Sequence, residues 1–297
     1  MLTRRHLRIK VMQAIYAHES IERESIGEGE KKMLKSFEQL FDLFVYQLSF
    51  LVEIFDFASK KIEEGRNKLL PSQEDLDPNM KFVENRLVDK IRNNKDYINN
   101  YNRLKINWRQ EHYDIVRKVF NDIRTDGEYQ NFMEKPESSF KEDQKMLVYI
   151  VKEFISDCQP LKNIYEEQNI FWEEDYYTVN MMLIDFIESI RANADEFQKL
   201  PAVFKDVDEH GKSEDRQFAV DLYRNTVAQG NKYEDVIASR AKNWEFDRIA
   251  KIDVILLKMA IAELLNFYSI PVKVTMNEYI EISKYYSTPK SRVFING

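Results

Sequence analysis

The sequence is poor in residue types on which whole classes of protein depend. It has one cysteine, Cys158, and only seven glycines and seven prolines among 297 residues. A single cysteine excludes an internal disulfide framework and a cysteine-rich zinc site, and it is consistent with a reducing compartment. The glycine patterns GxGxxG, GxxxxGK and GxSxG do not occur. Nucleotide and acyl-transfer chemistry therefore lack their usual local machinery.

Long hydrophobic runs and clustered histidines are also missing. No apolar run reaches the roughly 20 residues that a membrane-spanning helix needs, and charges occupy the N-terminus where a signal peptide has its apolar core. The four histidines lie far apart, and none has the spacing of metal ligands. We therefore expect a cytoplasmic protein with no membrane segment, no metal, no cofactor and no enzymatic activity.

Apolar residues are abundant and recur at helical spacing. Hydrophobic residues make up 43% of the chain and aromatic residues 13%, enough to bury one or two sizeable cores. A first helix is predicted from Thr3 to about Ser20, and a second long helical pattern runs from Lys31 to Glu64. Gly27 and Gly29 are interpreted as a break between the two. The sequence predicts an all-α protein.

The distribution of charge is more informative than its sum. The net charge is -7, which is unusual for a protein that binds nucleic acid, because such binding depends on Lys and Arg neutralising phosphates. The first ten residues nevertheless contain Arg4, Arg5, Arg8 and Lys10 and no acid, whereas five glutamates follow before residue 31. The sequence predicts a small basic surface on an acidic body, and an acidic body also suits a basic protein partner.

The middle of the chain contains an internal repeat. When Lys141 onward is laid over Ser213 onward, an offset of 72 residues, Asp143 matches Asp215 and Trp172 matches Trp244. Two copies are too few for a solenoid, so a duplicated helical unit is the interpretation. We expect residues 140–190 to superpose on residues 212–262 as helix, turn, helix, with both tryptophans near the same corner.

Four motifs, in order, resemble the NusB family of bacterial transcription antitermination factors. They are RRHLR followed by QAIY, then KIDVILLKMAIAEL, IPVKVTMNEYIEISKYY and SRVFING, and together they cover about a third of the chain. The resemblance implies an RNA-binding adaptor, not an enzyme, built from two small helical bundles packed side by side.

The resemblance also implies a division of the chain, because members of the family are usually about half this length. Residues 1–20 with 212–245 are expected to form an N-terminal helical bundle, and residues 246–297 a C-terminal one. Residues 21–211 are then a large helical insertion that contains part of the internal repeat.

The resemblance places one RNA-binding site at the N-terminus. Arg4, Arg5, His6 and Arg8 match the arginine-rich motif of the family, which implies contact with the single-stranded boxA element of nascent ribosomal RNA. Arginines on the first turns of a helix can donate to phosphates and base edges of unpaired RNA. The alternative is an ordinary solvated helix start.

A second RNA-binding site is implied at the C-terminal motif. Phe294 stands where the family has an aromatic side chain on which an RNA base can stack, and Ser291 and Arg292 lie beside it. Relatives often have Lys at the position of Val293 and an acid at the position of Lys290, so the basic surface is altered here. The alternative is that Phe294 docks the tail on the core.

Tyr16 and Asp253 match positions that in the family face NusE, a small-subunit ribosomal protein. Asp253 is an acid in an otherwise apolar helix, so it needs solvent, a partner or a buried donor. The alternatives are packing at the edge of the core for Tyr16 and an exposed helix position for Asp253. Asn277 and Glu278 are interpreted as capping and dipole residues at the start of a helix.

The function implied is transcription antitermination, in which the protein binds boxA-type RNA together with NusE and joins the elongating RNA polymerase complex. The alternative is a helical scaffold whose insertion binds a protein and whose RNA binding is weak or lost, as the acidic charge and Val293 allow.

Overall fold

The computed structural model describes residues 2–169, 171–205, 210, 212–241, 249–288 and 291–296, without the side chains of residues 292, 293 and 296. Within these residues the regular structure is helical and there is no strand. The predicted all-α fold is therefore confirmed.

The chain forms two compact units. One consists of Met1–Glu38 and Ala202–Gly297, and we name it the terminal unit. The other consists of Gln39–Pro201, and we name it the central unit. The three-part division expected from the sequence stays a prediction.

The helices, in chain order, have the following bounds. They are α1 (Arg4–His18), α2 (Ile26–Arg66), α3 (Gln73–Leu76), α4 (Arg86–Asn93), α5 (Lys95–Leu104), α6 (Trp108–Glu111), α7 (Tyr113–Arg124), α8 (Gly127–Glu134), α9 (Phe140–Ile150), α10 (Gln159–Gln168), α11 (Trp172–Ser189), α12 (Glu214–Ala228), α13 (Gly230–Arg240), α14 (Lys251–Asn266), α15 (Val272–Tyr286) and α16 (Ser291–Asn296). A π-helical turn, Val151–Ile155, continues α9.

Helix α1 begins where its sequence provides a cap. The Thr3 hydroxyl accepts a hydrogen bond from the His6 backbone N–H at 3.4 Å, and the His6 ring nitrogen Nδ1 accepts one from the Thr3 backbone N–H at 3.2 Å. This reciprocal pair satisfies two donors that an α-helix leaves unpaired at its start. Leu7, Val11 and Ile15 are buried at helical spacing, so the predicted inward face is confirmed.

The predicted break at Gly27 and Gly29 is wrong, because both glycines lie in the first turns of α2. The break lies before α2, where Arg23 has a φ of 63°. Gly29 serves close packing instead: a Cβ at this position would lie 1.9 Å from the hydroxyl oxygen of Tyr223. A glycine on a helix can mark a tight contact as well as a helix end.

Helix α14 is the centre of the terminal unit. It packs against α1, α12, α13, α15 and α16. A helix surrounded by other helices is apolar on most of its circumference, which explains the sequence of α14. Ile255, Leu256, Met259 and Ala262 are fully buried.

The central unit has an aromatic core built around α2. Tyr46 lies within 6.2 Å, between ring centres, of Trp108, Tyr165 and Trp172. One polar side chain crosses this core: the Gln47 amide donates to Asn180 Oδ1 at 2.6 Å and accepts from the Tyr165 hydroxyl at 2.7 Å. Buried aromatic rings with satisfied polar ends are a stable way to fill such an interior.

The helices around the internal repeat follow the same order twice. Helices α9 and α10 both pack against α11, and α12 and α13 both pack against α14. The two aligned aspartates are also alike, since Asp143 and Asp215 are both buried in the first turn of a helix. Trp244 lies outside the described residues, so the correspondence of the two tryptophans, and with it the duplication, stays a prediction.

Candidate functional site

The three arginines of RRHLR differ in burial. The side chain of Arg8 is only 2% exposed, and its Nε and Nη2 donate to the two carboxylate oxygens of Glu263 at 2.8 and 2.6 Å. Glu263 is fully buried and also accepts from the Thr275 hydroxyl at 2.8 Å and the Tyr279 hydroxyl at 2.9 Å. We name these four residues the Arg8 network, and it joins α1 to α14 and α15.

The Arg8 network keeps its charges although it is buried. Burial opposes the positive charge of Arg8, but the hydrogen bonds to Glu263 outweigh it, so the pKa of the guanidinium is raised. Burial and the neighbouring Glu263 raise the pKa of the Tyr279 hydroxyl well above its usual value. The network therefore stays a charged pair with neutral hydroxyl donors at physiological pH.

Arg5 is accessible and is held by a second acid. Its side chain is 43% exposed, and its Nε and Nη2 each donate to Glu278 at 2.8 Å. This hydrogen bonding raises the pKa of Arg5 and lowers the pKa of Glu278. Glu278 lies in the middle of α15, which begins at Val272. The interpretation of Asn277 and Glu278 as residues at a helix start is therefore wrong.

Arg4 is held by a third acid on another helix. Its side chain is 39% exposed, and Nε lies 2.6 Å from the Oδ1 atom of Asp215 on α12. The guanidinium carbon also lies 4.5 Å from the centre of the Phe218 ring, a distance typical of a cation–π contact. Both accessible arginines are thus fixed in direction by side chains far away in the sequence.

These side chains border a cavity of about 700 Å³, which we name the α1 cavity. The first turns of α1 line one side of it, and the other side consists of residues 269–271, Val274 and Glu278. Arginines and apolar groups therefore face the same space.

His6 is also at this cavity, and its ring serves the cap of α1. Burial, followed by the charges of Arg5 and the N-terminus, lowers the pKa of the His6 ring. The neutral ring is the form that can accept the hydrogen bond from the Thr3 N–H. His6 consequently contributes shape and hydrogen bonding to the site and little positive charge at neutral pH.

The C-terminal motif forms α16, which packs against α14 and α15. Ser291 is buried, and its hydroxyl oxygen accepts from the Thr288 backbone N–H at 3.1 Å. Phe294 is half-buried. The side chain of Arg292 and all of Lys290 lie outside the described residues. Ser291 therefore shapes the turn before α16.

Tyr16 and Asp253 lie in different environments. Tyr16 is 45% exposed, with Lys251 Nζ 4.6 Å from the centre of its ring. Asp253 is 4% exposed, and its Oδ1 has no hydrogen-bond partner among the described residues. The alternative of an exposed helix position for Asp253 is therefore wrong. A buried carboxylate oxygen without a donor is costly unless something else supplies one.

The acids that hold the arginines are the functional residues missing from the sequence predictions. Asp215, Glu263 and Glu278 each lie more than 200 residues from the arginine that they bind. One signal was present: Glu263 is an acid in the apolar sequence of α14, as Asp253 is. An acid in such a helix requires a buried donor, and Arg8 is that donor.

Metal-binding clusters and membrane-spanning helices are both absent from the part of the chain that the structure describes. No group of three or more His, Cys, Asp or Glu side chains is arranged there to hold a metal ion. No helix among these residues combines the length and apolar character needed to cross a membrane.

The family model described as NusB family matches residues 177–297. The transcription antitermination protein NusB of Salinibacter ruber is 49% identical over 82 residues, which are 28% of this chain and 51% of that protein. Its counterpart in Geobacter sulfurreducens is 38% identical over 104 residues, 35% of this chain and 75% of that protein. No solved structure matches.

This likeness leaves most of the central unit unmatched, because the family match begins within α11. The chain spans about half of the Salinibacter protein and three quarters of the Geobacter protein. A NusB of Dictyoglomus turgidum is also 36% identical over 67% of its length. With relatives covered to this extent at such identity, this chain belongs to the NusB family.

Proposed function

We propose that this cytoplasmic protein binds single-stranded boxA-type RNA of nascent ribosomal transcripts together with NusE, and joins the antitermination complex on elongating RNA polymerase. Its role is binding and assembly without catalysis. The observation that carries the proposal is the pair of accessible arginines, Arg4 and Arg5, fixed side by side on the first turn of α1.

The geometry suits phosphate binding because the arginines are already oriented. A guanidinium has five N–H donors in a fixed plane, more than a single carboxylate uses. Arg4 and Arg5 can therefore keep Asp215 and Glu278 as supports while they donate to phosphates. Ordering a free arginine costs side-chain entropy, and this cost is reduced when the side chain is held in advance.

Arg8 and His6 have supporting roles in the proposal. Arg8 is buried, so it holds α1 in place through Glu263, and His6 caps the helix. Ser291, Arg292 and Phe294 form the second part of the RNA surface, with Phe294 as the side chain on which a base stacks.

RNA titrations at several salt concentrations test this proposal. The double variant Arg4→Ala/Arg5→Ala should bind a boxA-type oligonucleotide more weakly, with a flatter dependence on salt, because fewer counterions are released. The slope of log K against log salt should fall by about 0.7 for each phosphate that the variant no longer neutralises.

Arg86→Ala is the matched control. Arg86 is the first residue of α4 and lies 4.0 Å from the buried Asp143, much as Arg4 begins α1 and binds Asp215. This control should bind RNA like the unmodified protein. An unchanged affinity and slope in the Arg4→Ala/Arg5→Ala variant would reject the proposal.

Tyr16 and Asp253 are proposed to contact NusE. The exposed Tyr16 ring offers contact area, and the unpaired oxygen of Asp253 offers an acceptor to a basic partner. Asp253→Ala should weaken NusE binding and leave the thermal unfolding temperature nearly unchanged. If folding and NusE binding are lost together, Asp253 is structural and this contact is rejected.

A scaffold function is the second candidate, favoured by the charge of the central unit. Gln39–Pro201 contains 22 Lys and Arg against 31 Asp and Glu, a net charge of -9. Such a surface repels RNA and attracts basic proteins. If the titration with boxA-type RNA shows no binding, with or without NusE, the scaffold function replaces the antitermination function.

A further inference from the structure

We propose that the α1 cavity receives one unpaired nucleotide of the bound RNA, with its base directed inward and its phosphates at Arg4 and Arg5. This inference rests on the proposed RNA binding and adds a base-binding site to it. The residues that would contact the base belong to the loop between α14 and α15 and to α15 itself, not to the arginine motif.

The size and lining of the α1 cavity fit a nucleotide. Its volume is about 700 Å³, within the range of about 300–1,000 Å³ typical of small-molecule sites. Ile270, Pro271 and Val274 form an apolar wall opposite the arginines. Val274 is 45% exposed, so its side chain is available to a ligand. The faces of an RNA base are flat and apolar, and they pack well against such a wall.

The charges determine which end of the nucleotide enters. Arg4 and Arg5 stand on the α1 side of the cavity, whereas the carboxylate of Glu278 lies on the α15 side. A phosphate placed against α15 would be repelled by Glu278, so it remains beside the arginines. The base then occupies the space along the apolar wall.

Glu278 also provides a means of recognising the base. A carboxylate has about four lone-pair directions, and Arg5 uses one on each oxygen. The remaining directions can accept N–H groups from the edge of a base, as carboxylates do from cytosine amino groups. The site therefore favours a base edge that presents N–H donors.

The Arg8 network fixes the width of the cavity. It links α1 to α15 through four buried side chains whose hydrogen bonds lie between 2.6 and 2.9 Å. The two sides of the cavity are thus held at a set distance before RNA arrives. A preformed site binds without a separate ordering cost.

The test combines a scan of the RNA with a change of the wall. A boxA-type oligonucleotide is prepared as a series in which each position in turn lacks its base, and each RNA is titrated against the full-length protein. For the unmodified protein, one abasic position beyond any that depends on Phe294 should weaken binding by about tenfold, the size of one stacked base. A Phe294→Ala variant identifies the position that depends on Phe294.

The double variant Ile270→Ala/Val274→Ala removes the apolar wall at exposed and half-buried positions, where the fold depends little on the side chains. It should bind the intact RNA and the critical abasic RNA equally, and keep the salt dependence of the unmodified protein because Arg4 and Arg5 are retained. The matched control is Val272→Ala, since Val272 is 60% exposed on the first turn of α15 and does not line the cavity. This control should still discriminate between the two RNAs.

Failure of the inference is distinct from failure of the proposed function. If RNA binds with the expected dependence on Arg4 and Arg5 but every abasic RNA outside the Phe294 position binds normally, the base site is rejected and RNA binding stands. Continued discrimination by the Ile270→Ala/Val274→Ala variant also rejects it. Absence of any RNA binding rejects both.

Discussion

The terminal and central units bury different kinds of polar group. Among the described residues, the buried Lys and Arg side chains, Arg8, Lys10 and Lys258, all lie in the terminal unit. The central unit instead buries amides such as Gln47 and Asn180 within an aromatic core. Buried charges demand specific partners, so the interior of the terminal unit fixes the positions of charged groups at its surface. The interior of the central unit sets only a shape.

The surfaces of the two units differ in the same sense. The terminal unit has 22 Lys and Arg against 20 Asp and Glu, a net charge of +2, whereas the central unit has a net charge of -9. The negative sum for the whole chain therefore comes from residues that the family match mostly leaves out. A polyanion is attracted to one unit and repelled by the other, and this reconciles an acidic protein with RNA binding.

The largest expected effect concerns the buried charges of the terminal unit. Arg8→Met should destabilise the protein by about 3–5 kcal/mol, because it leaves the buried Glu263 carboxylate without its cation. Arg5→Met makes the same chemical change in the accessible pair with Glu278 and should cost no more than about 1 kcal/mol. Denaturant unfolding of both variants measures the difference.

This pair of variants can break the comparison between the units. Equal costs for Arg8→Met and Arg5→Met would show that the buried pair does not organise the terminal unit. A larger cost for Arg8→Met, with RNA binding lost only when the protein unfolds, supports its assignment as a positioning residue.

A smaller effect is expected where α2 meets α12. Gly29→Ala would place a Cβ 1.9 Å from the buried Tyr223 hydroxyl, and such overpacking typically costs about 1–3 kcal/mol. Gly27→Ala is the control, since a Cβ there meets nothing within 4 Å. It should be neutral, or stabilising by up to about 1 kcal/mol through helix propensity. Thermal unfolding distinguishes the two, and equal stabilities would refute the packing role of Gly29.

In the central unit, a neutral hydrogen bond replaces the buried ion pair. The Trp108 indole N–H donates to the Ser49 hydroxyl at 2.8 Å, and both residues are buried. Ser49→Ala should cost about 1–2 kcal/mol, because the indole N–H loses its acceptor. Ser59→Ala, on the same helix, removes a hydroxyl that only donates to the Phe55 carbonyl, and it should change stability by less than about 0.5 kcal/mol. If both variants unfold alike, the indole is not held by Ser49.

Local features of the fold could be predicted from the sequence. The cap at Thr3 and the buried spacing of Leu7, Val11 and Ile15 depend on residues within a few turns of one another, so periodicity reveals them. The apolar sequence of α14 likewise predicted a helix. The start of α2 could not be predicted correctly, because Gly29 is compatible with either a helix break or a close contact, and only Tyr223 decides between them.

The candidate site was predictable only in part, for the same reason. The arginines of RRHLR could be identified as a basic group, but their separation into one buried and two accessible side chains depends on acids more than 200 residues away. Nothing in the local pattern distinguishes Arg8 from Arg5. The partner of each arginine is a property of how α12, α14 and α15 pack around α1.

The smallest expected effect is local and belongs to the central unit. Helix α9 begins with Ser139 and Glu142, which cap each other, and Glu142 also accepts from Lys135 at 3.2 Å. The Ser139 backbone N–H, then Lys135 and the Ser139 hydroxyl, lower the pKa of Glu142 from 4.5 to about 2. Because the folded-state pKa is lowered, the stabilisation is complete above pH 4.5 and is lost as the pH falls toward 2.

An NMR titration of the Glu142 carboxyl carbon measures this pKa directly. Lys135→Met should raise the pKa only part of the way to 4.5, because the Ser139 backbone N–H at 2.9 Å remains the main donor. In Glu142→Gln the fall in stability below pH 4.5 should be smaller. A pKa near 4.5 in the unmodified protein would show that this cap is open in solution. The contrast with Arg8 would then sharpen, since an exposed capping pair can open at little cost while a buried ion pair cannot.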